Sequence, residues 1–201
     1  MFFKTSCDLI QFMKDVTPSK NPQLDGLFLE LRENLFFIFQ FLKNPVLEIT
    51  RLPDWKWINL FILLFGISLA SGIGAGFLPP NPYRILSGMI LFPFMALVMN
   101  GLTSFFIYYF FQVFKGVTHS FRKIFTLVFF ANIPFYLFEI GSGLLPPITL
   151  IGFAFTAFIL IVGLISNFSL EKKIAIRLIG GIYAVILLLW IYNQIDSRSS
   201  F

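Results

Sequence analysis

The sequence predicts an all-α membrane protein: five transmembrane helices, with two parallel helical-hairpin repeats (spans 1-2 and 3-4) plus a fifth span, preceded by amphipathic cytoplasmic helices. Three observations predict it. Hydrophobic residues make up 57% of the 201-residue chain and charged residues only 12%, with a mean hydropathy of +0.84. That much apolar surface cannot be hidden inside a soluble particle of this size, so the bilayer must be the solvent. The charges divide the chain after residue 52 into five apolar runs, each long enough for the roughly 20 residues that cross about 30 Å of hydrocarbon. Finally, Ile73-Gly74-Ala75-Gly76-Phe77-Leu78-Pro79-Pro80 returns 67 residues later as Ile140-Gly141-Ser142-Gly143-Leu144-Leu145-Pro146-Pro147. Each copy closes one apolar run and opens the next, as a duplicated helical hairpin would.

Residues 1-52 read as a cytoplasmic or interfacial region. Leu9, Phe12, Met13 and Val16 recur at helical spacing against Asp8, Gln11, Lys14 and Asp15, with Thr5 or Ser6 as a cap and Thr17-Pro18 as a stop. After a polar linker through Asp25-Gly26, Leu27 to Lys43 places Glu30, Glu33, Asn34 and Gln40 along one side of a second helix whose remainder is largely Phe and Leu. Such a helix is too polar on one face to span and too apolar to float. Two readings stand: a partner-binding or curvature-sensing helix pair, or a lid packed on the bundle. No secretory signal is expected, because this stretch mixes acids with bases and lacks a clean apolar core before a small-residue cleavage site.

Residues 53-196 form the membrane domain, with spans near Trp57 to Phe77, Ile85 to Phe114, Phe121 to Leu145, Ile148 to Phe168 and Ile174 to Ile195. The second run overshoots the hydrocarbon at about 1.5 Å per residue, which predicts tilt or a break near Pro93 or Asn100-Gly101. Pro134 cannot donate to the carbonyl of Phe130, which predicts a kink in the third span. Residues 197-201 are a short outer tail.

Orientation follows from the short loops, since basic loops stay in the cytoplasm. Lys43, Arg51 and Lys56 precede the first span; Lys115, Arg122 and Lys123 separate the second from the third; Lys172, Lys173 and Arg177 separate the fourth from the fifth. The other loops hold only Arg84, and the tail only Arg198. The N-terminus is therefore expected in the cytoplasm and the C-terminus outside, with both Leu-Pro-Pro turns on the outer face. Trp55, Trp57, Tyr108 and Tyr109 read as the inner aromatic belt, and Tyr83, Trp190 and Tyr192 as the outer one.

Lipid supplies no partners to polar groups, so those inside the spans are the candidate site. Asn100 and Asn132 fall near mid-span, where two amides can bond each other, and Asn132 can alternatively serve the gap left by Pro134. Glu139 is the one acid well inside a span, near the outer end and at the level of Arg84. It is read as a structural pair with Arg84 or a carboxylate reaching the interface, or as an ion or substrate contact. Small residues recur every fourth position as Gly66, Ala70, Gly74 and as Ser68, Gly72, Gly76, with Gly180-Gly181 in the fifth span. This spacing admits close helix approach, either in a dimer or within the bundle.

Composition excludes several classes. The +5 net charge lies at membrane edges, so topology explains it and nucleic acid is not a partner. His119 is the one histidine and Cys7 the one cysteine, which removes Ser-His-Asp, Cys-His, disulfide and thiolate-zinc chemistry. Cys7 reads as buried or interfacial, with acylation as the alternative. No enzyme, metal or cofactor is expected.

Lys115-Gly116 before Phe121-Arg122, Pro134 in the third span and Ser169-Leu170-Glu171-Lys172-Lys173-Ile174-Ala175 before the fifth, set in this five-span layout, resemble the Yip family of Ypt-interacting membrane proteins from about Phe41 to Ile195. The resemblance implies a non-catalytic protein that works with partners. Eukaryotic members act in vesicle traffic between endoplasmic reticulum and Golgi and associate with Rab GTPases and with one another. Where those members carry Asp-Leu-Tyr-Gly-Pro, this chain reads Leu52-Pro53-Asp54-Trp55-Lys56-Trp57, so a GTPase partner is not carried over. The compact loops look more like the prokaryotic branch, which implies a bacterial cytoplasmic membrane, with an ER or Golgi membrane for a eukaryotic source. The expected function is a membrane-organising or partner-binding adaptor whose partners are the bilayer and another membrane protein or a second copy. The alternative is a small transporter or channel with a polar path near Asn100, Asn132 and Glu139.

Overall fold

The computed structural model describes residues 22-77, 80-145 and 147-199, with side chains over 29-77, 80-145 and 147-188. The first expected amphipathic helix, around Leu9 to Val16, and Cys7 lie outside the described residues. The remainder is all-helical: α1 (Pro22–Lys43), α2 (Pro45–Glu48), α3 (Trp57–Phe77), α4 (Pro82–Phe110), α5 (Phe121–Ile140), α6 (Ile148–Phe168) and α7 (Lys172–Ser199). α1 starts at Pro22, so Asp25-Gly26 is helical and is not a linker. The chain divides into two compact units, Met1–Phe39 and Gln40–Phe201.

Among the described residues, four helices are long and apolar enough to cross a membrane: α3, α4 with its following turn, α5 and α6. α5 is the centre. Ile124, Leu127, Val128, Phe129, Phe130 and Ala131 have no exposed surface, a run without polar relief that only an all-round apolar environment tolerates. α3, α4 and α6 pack against it, and α7 packs on α6. Each sequence-adjacent pair, α3 with α4 and α5 with α6, is also closely packed. α4 is peripheral, and Leu86, Ile90, Phe94, Leu102 and Phe105 on its outward side are exposed. In water this would be an aggregation surface; in a membrane it is the lipid face.

Local sequence explains where these helices stop. Asn81 caps α4: its Oδ1 accepts from the N–H groups of Tyr83 (3.0 Å) and Arg84 (3.3 Å), and Pro82 follows at the first helical position, where its missing N–H costs nothing. At its other end α4 widens into a π-helical turn, Phe111–Lys115, closed by Gly116 at φ +62°. That is a left-handed conformation that glycine adopts without penalty. α6 ends similarly at Ser169, whose φ is 51°.

Two expectations change. Of the tilt or break expected in the second span, the break is absent: α4 passes unbroken through Pro93 and Asn100-Gly101, and with the π turn it reaches 34 residues. Pro134 lies inside α5, which runs on to Ile140. The third span ends at Ile140 and not at Leu145, because Gly141 to Leu144 form turns in which Gly141 N–H donates to Phe138 C=O and Ser142 N–H to Glu139 C=O, both at 3.0 Å. The duplicated motif therefore has two conformations, since Ile73–Phe77 in the first copy stays helical. Tertiary contact supplies the reason: Gly76 lies against the Ile85 backbone and Gly74 against the Ile140 side chain. That packing offsets glycine's poor helix propensity.

Candidate functional site

Four polar side chains from three helices meet inside the bundle. Asn132 Nδ2 on α5 donates to Asn100 Oδ1 on α4 at 3.1 Å. Asn100 Nδ2 donates to Tyr136 Oη on α5 at 2.5 Å and to the Ala96 carbonyl of its own helix at 2.7 Å. Ser71 Oγ on α3 donates to the Tyr136 carbonyl at 2.5 Å. Asn100 is 1% exposed and Ser71 and Tyr136 are 2% exposed, so water does not compete for these bonds. Asn132 thus reaches across to α4 and does not serve the carbonyl left by Pro134. The group is a clasp: the Asn132–Asn100, Asn100–Tyr136 and Ser71–Tyr136 bonds each hold one span to another, and none presents an activated nucleophile or an acid-base pair.

Beside the clasp is a cavity of about 160 Å³, bounded by α4, α5, α6 and α7. A second, of about 250 Å³, lies nearer the Pro82 end between α3, α4 and the end of α5, and holds Arg84, Glu139 and Ser142. Phe92 and Met95 line both, standing between them. Arg84 and Glu139 share this second cavity without closing an ion pair among the described residues; the Glu139 carboxylate instead accepts from Ser142 Oγ at 3.1 Å.

The small residues fall into separate roles. Gly72 and Gly76 seal α3 against α4, Gly74 faces Ile140, and Gly66 and Ala70 lie on the exposed side of α3. A side chain at Gly66, Gly180 or Gly181 would meet nothing within 4 Å.

At the Trp57 end the segment before α3 is folded onto the bundle. Phe41 and Ile49 are fully buried, and the Phe41 and Trp55 rings lie 5.3 and 5.0 Å from that of Phe130. Trp55 is therefore a packing residue and not an interface anchor. Asn167 Nδ2 donates to the Ile49 carbonyl at 2.7 Å, and Arg122 Nη2 meets Asp54 Oδ1 at 2.6 Å. His119 stands edge-on between Phe111 and Phe168, at 4.7 and 5.0 Å. Burial, then the nearby Lys123 charge, holds its pKa below the ordinary imidazole value. Among the described residues no three His, Cys, Asp or Glu side chains gather as a metal site would require.

Sequence reasoning found Asn100, Asn132, Arg84 and Glu139 but missed Tyr136, Ser71, Gly88 and Ser142. Tyr136 lies four residues after Asn132, on the same face of α5, and that spacing is a signal the sequence does carry.

No curated protein and no solved structure matches the chain. A protein-family model, the Yip1 domain, matches residues 39–193, which takes in the Phe41 tether, the clasp, both cavities and most of α7. The chain belongs to the Yip1 domain family.

Proposed function

We propose that the chain is a five-span membrane protein of Yip type that acts as a non-catalytic, membrane-organising adaptor for another membrane protein or for a second copy of itself. α7 supplies the fifth span. The Lys and Arg distribution supports a cytoplasmic N-terminus and an outer C-terminus. With α3–α4 and α5–α6 as consecutive hairpins this orientation makes them parallel repeats, and the prokaryotic layout favours a bacterial cytoplasmic membrane.

The observation that carries the reading is the clasp. The mid-span amides that a permeation path would need are bonded to each other and to Tyr136. Phe92 and Met95 separate them from the cavity that contains Glu139. Meanwhile Gly66 and Ala70 offer a close-approach face that no helix of this chain occupies among the described residues.

Removing residues 1–39, the first compact unit, tests whether the amphipathic region is the docking element. Deletion further into the chain would remove Phe41, a core residue. Loss of partner recovery from native membranes with the bundle still folded supports docking through that region. Undiminished recovery assigns docking to the spans.

A further inference from the structure

We infer that the 250 Å³ cavity between α3, α4 and the end of α5, with the groove beside it on α4, holds an ethanolamine phospholipid, its phosphate on Arg84 and its ammonium on Glu139. The two side chains carry opposite charges that do not close on each other. Both line the cavity, and the Arg84 charge acts on Glu139, yet no ion pair forms between them. Neither group is saturated. The Arg84 guanidinium donates no hydrogen bond among the described residues, and the half-buried Glu139 carboxylate accepts one, from Ser142 Oγ at 3.1 Å. A carboxylate set beside Leu91, Phe92 and Met95 is stable there only with further donors or a cation. The pair thus lacks an anion that takes the guanidinium fork and a cation that brings N–H donors to the carboxylate, joined by a short link.

The lining selects among headgroups. One positive and one negative side chain leave the lining neutral, which matches a zwitterion, whereas a headgroup of net negative charge meets the Glu139 carboxylate. A primary ammonium donates to Glu139 and to the lone pairs of Ser142 Oγ. A quaternary ammonium has no N–H to donate and is held by aromatic cages, and Phe92 is the single aromatic among the described lining residues. The hydrocarbon has its own place. A groove of about 540 Å³ on α4 shares Arg84, Ser87 and Leu91 with the cavity and continues over Leu86 and Ile90. Leu86, Ile90 and Leu91 are 59–65% exposed, an apolar surface on which an acyl chain lies while its headgroup turns inward to the charges. The assignment requires only that the Pro82 end of α4 reach a membrane surface, so it stands apart from the adaptor reading.

The test titrates the delipidated full chain, in mild detergent, with phospholipids of one acyl composition and reads bound lipid by native mass spectrometry. The expected result is a saturable one-lipid adduct with phosphatidylethanolamine, about tenfold tighter than with phosphatidylcholine, the effect of one hydrogen bond to a charged group. Phosphatidylglycerol should bind no better than phosphatidylcholine. Glu139→Gln should bring phosphatidylethanolamine down to the phosphatidylcholine level. Because that readout is a ratio taken on one protein, a general loss of stability would lower both lipids and leave the ratio in place. Arg84→Gln should weaken both lipids, and Arg84→Lys, which keeps the charge but not the fork, should weaken them less. Soluble glycerophosphoethanolamine, which lacks the chains, should compete only weakly. Equal binding of the two zwitterionic lipids, a preference that survives Glu139→Gln, indifference to Arg84→Gln, tighter binding of phosphatidylglycerol, or competition by the soluble headgroup as strong as by the lipid would each overturn the assignment.

Discussion

Gly72 and Gly88 hold the first hairpin together by having no side chains: a Cβ on either would lie 2.3 Å from the other's carbonyl oxygen. The obstacle is backbone and cannot rotate away. Gly88→Ala should therefore force α3 and α4 apart and cost more than the roughly 1–3 kcal/mol of ordinary overpacking. Gly101→Ala meets nothing within 4 Å and should gain up to about 1 kcal/mol from helix propensity. Thermal unfolding in detergent separates the two; equal behaviour would refute the close approach.

The clasp predicts an asymmetry between its two amides. Asn132→Leu removes one interhelical bond and should cost about 0.6 kcal/mol, with about 1.7 as the upper end for such bonds. Asn100→Leu strands both Asn132 and Tyr136 and should cost more. The double variant should cost less than the sum of the singles in a double-mutant cycle, and strict additivity would show that the amides are independent.

The Trp57 end is fastened by packing more than by charge. Asp54 is 82% exposed, so its ion pair with Arg122 is screened. Asp54→Asn should cost less than about 1 kcal/mol and nothing at high salt. Trp55→Ala, losing a buried ring against Phe130, should cost about 3 kcal/mol. The reverse order would mean that the ion pair carries the tether.

His119 should make stability pH-dependent in the mildly acidic range. Its folded pKa lies below the ordinary 6.5 because burial and Lys123 oppose protonation, so below that pH the unfolded chain binds more protons. Its contribution is fully present above pH 6.5 and is lost as pH falls through the folded value. Replacing His119 by Phe, which keeps the ring between Phe111 and Phe168, should flatten the unfolding midpoint between pH 7 and 5. An unchanged slope would assign it to other groups.

How far the sequence foretold this structure depends on what physics each feature used. The start of α3 at Trp57 and both ends of α6 are legible because charge and proline bound the apolar runs, and a membrane makes those boundaries sharp. The two glycine-rich copies were not, since identical local preferences give a helix where Ile85 and Ile140 close around Gly74 and Gly76, and turns at Gly141 to Leu144. Asn100 and Asn132 stand out as amides in lipid. Tyr136 does not, because a tyrosine in an aromatic-rich helix looks like packing until its hydroxyl is placed. Gly88 was invisible for want of its partner, since close approach belongs to a pair and one chain position shows half of it.

The measurement that bears most directly on the adaptor reading is purification of the full chain from its native membrane in mild detergent, with every co-purifying protein and lipid identified by mass spectrometry. The account predicts a stoichiometric membrane-protein partner or a defined homo-oligomer, together with no solute flux in proteoliposomes. A partnerless protein whose flux is abolished by Glu139→Gln while its fold is kept would contradict it and establish transport.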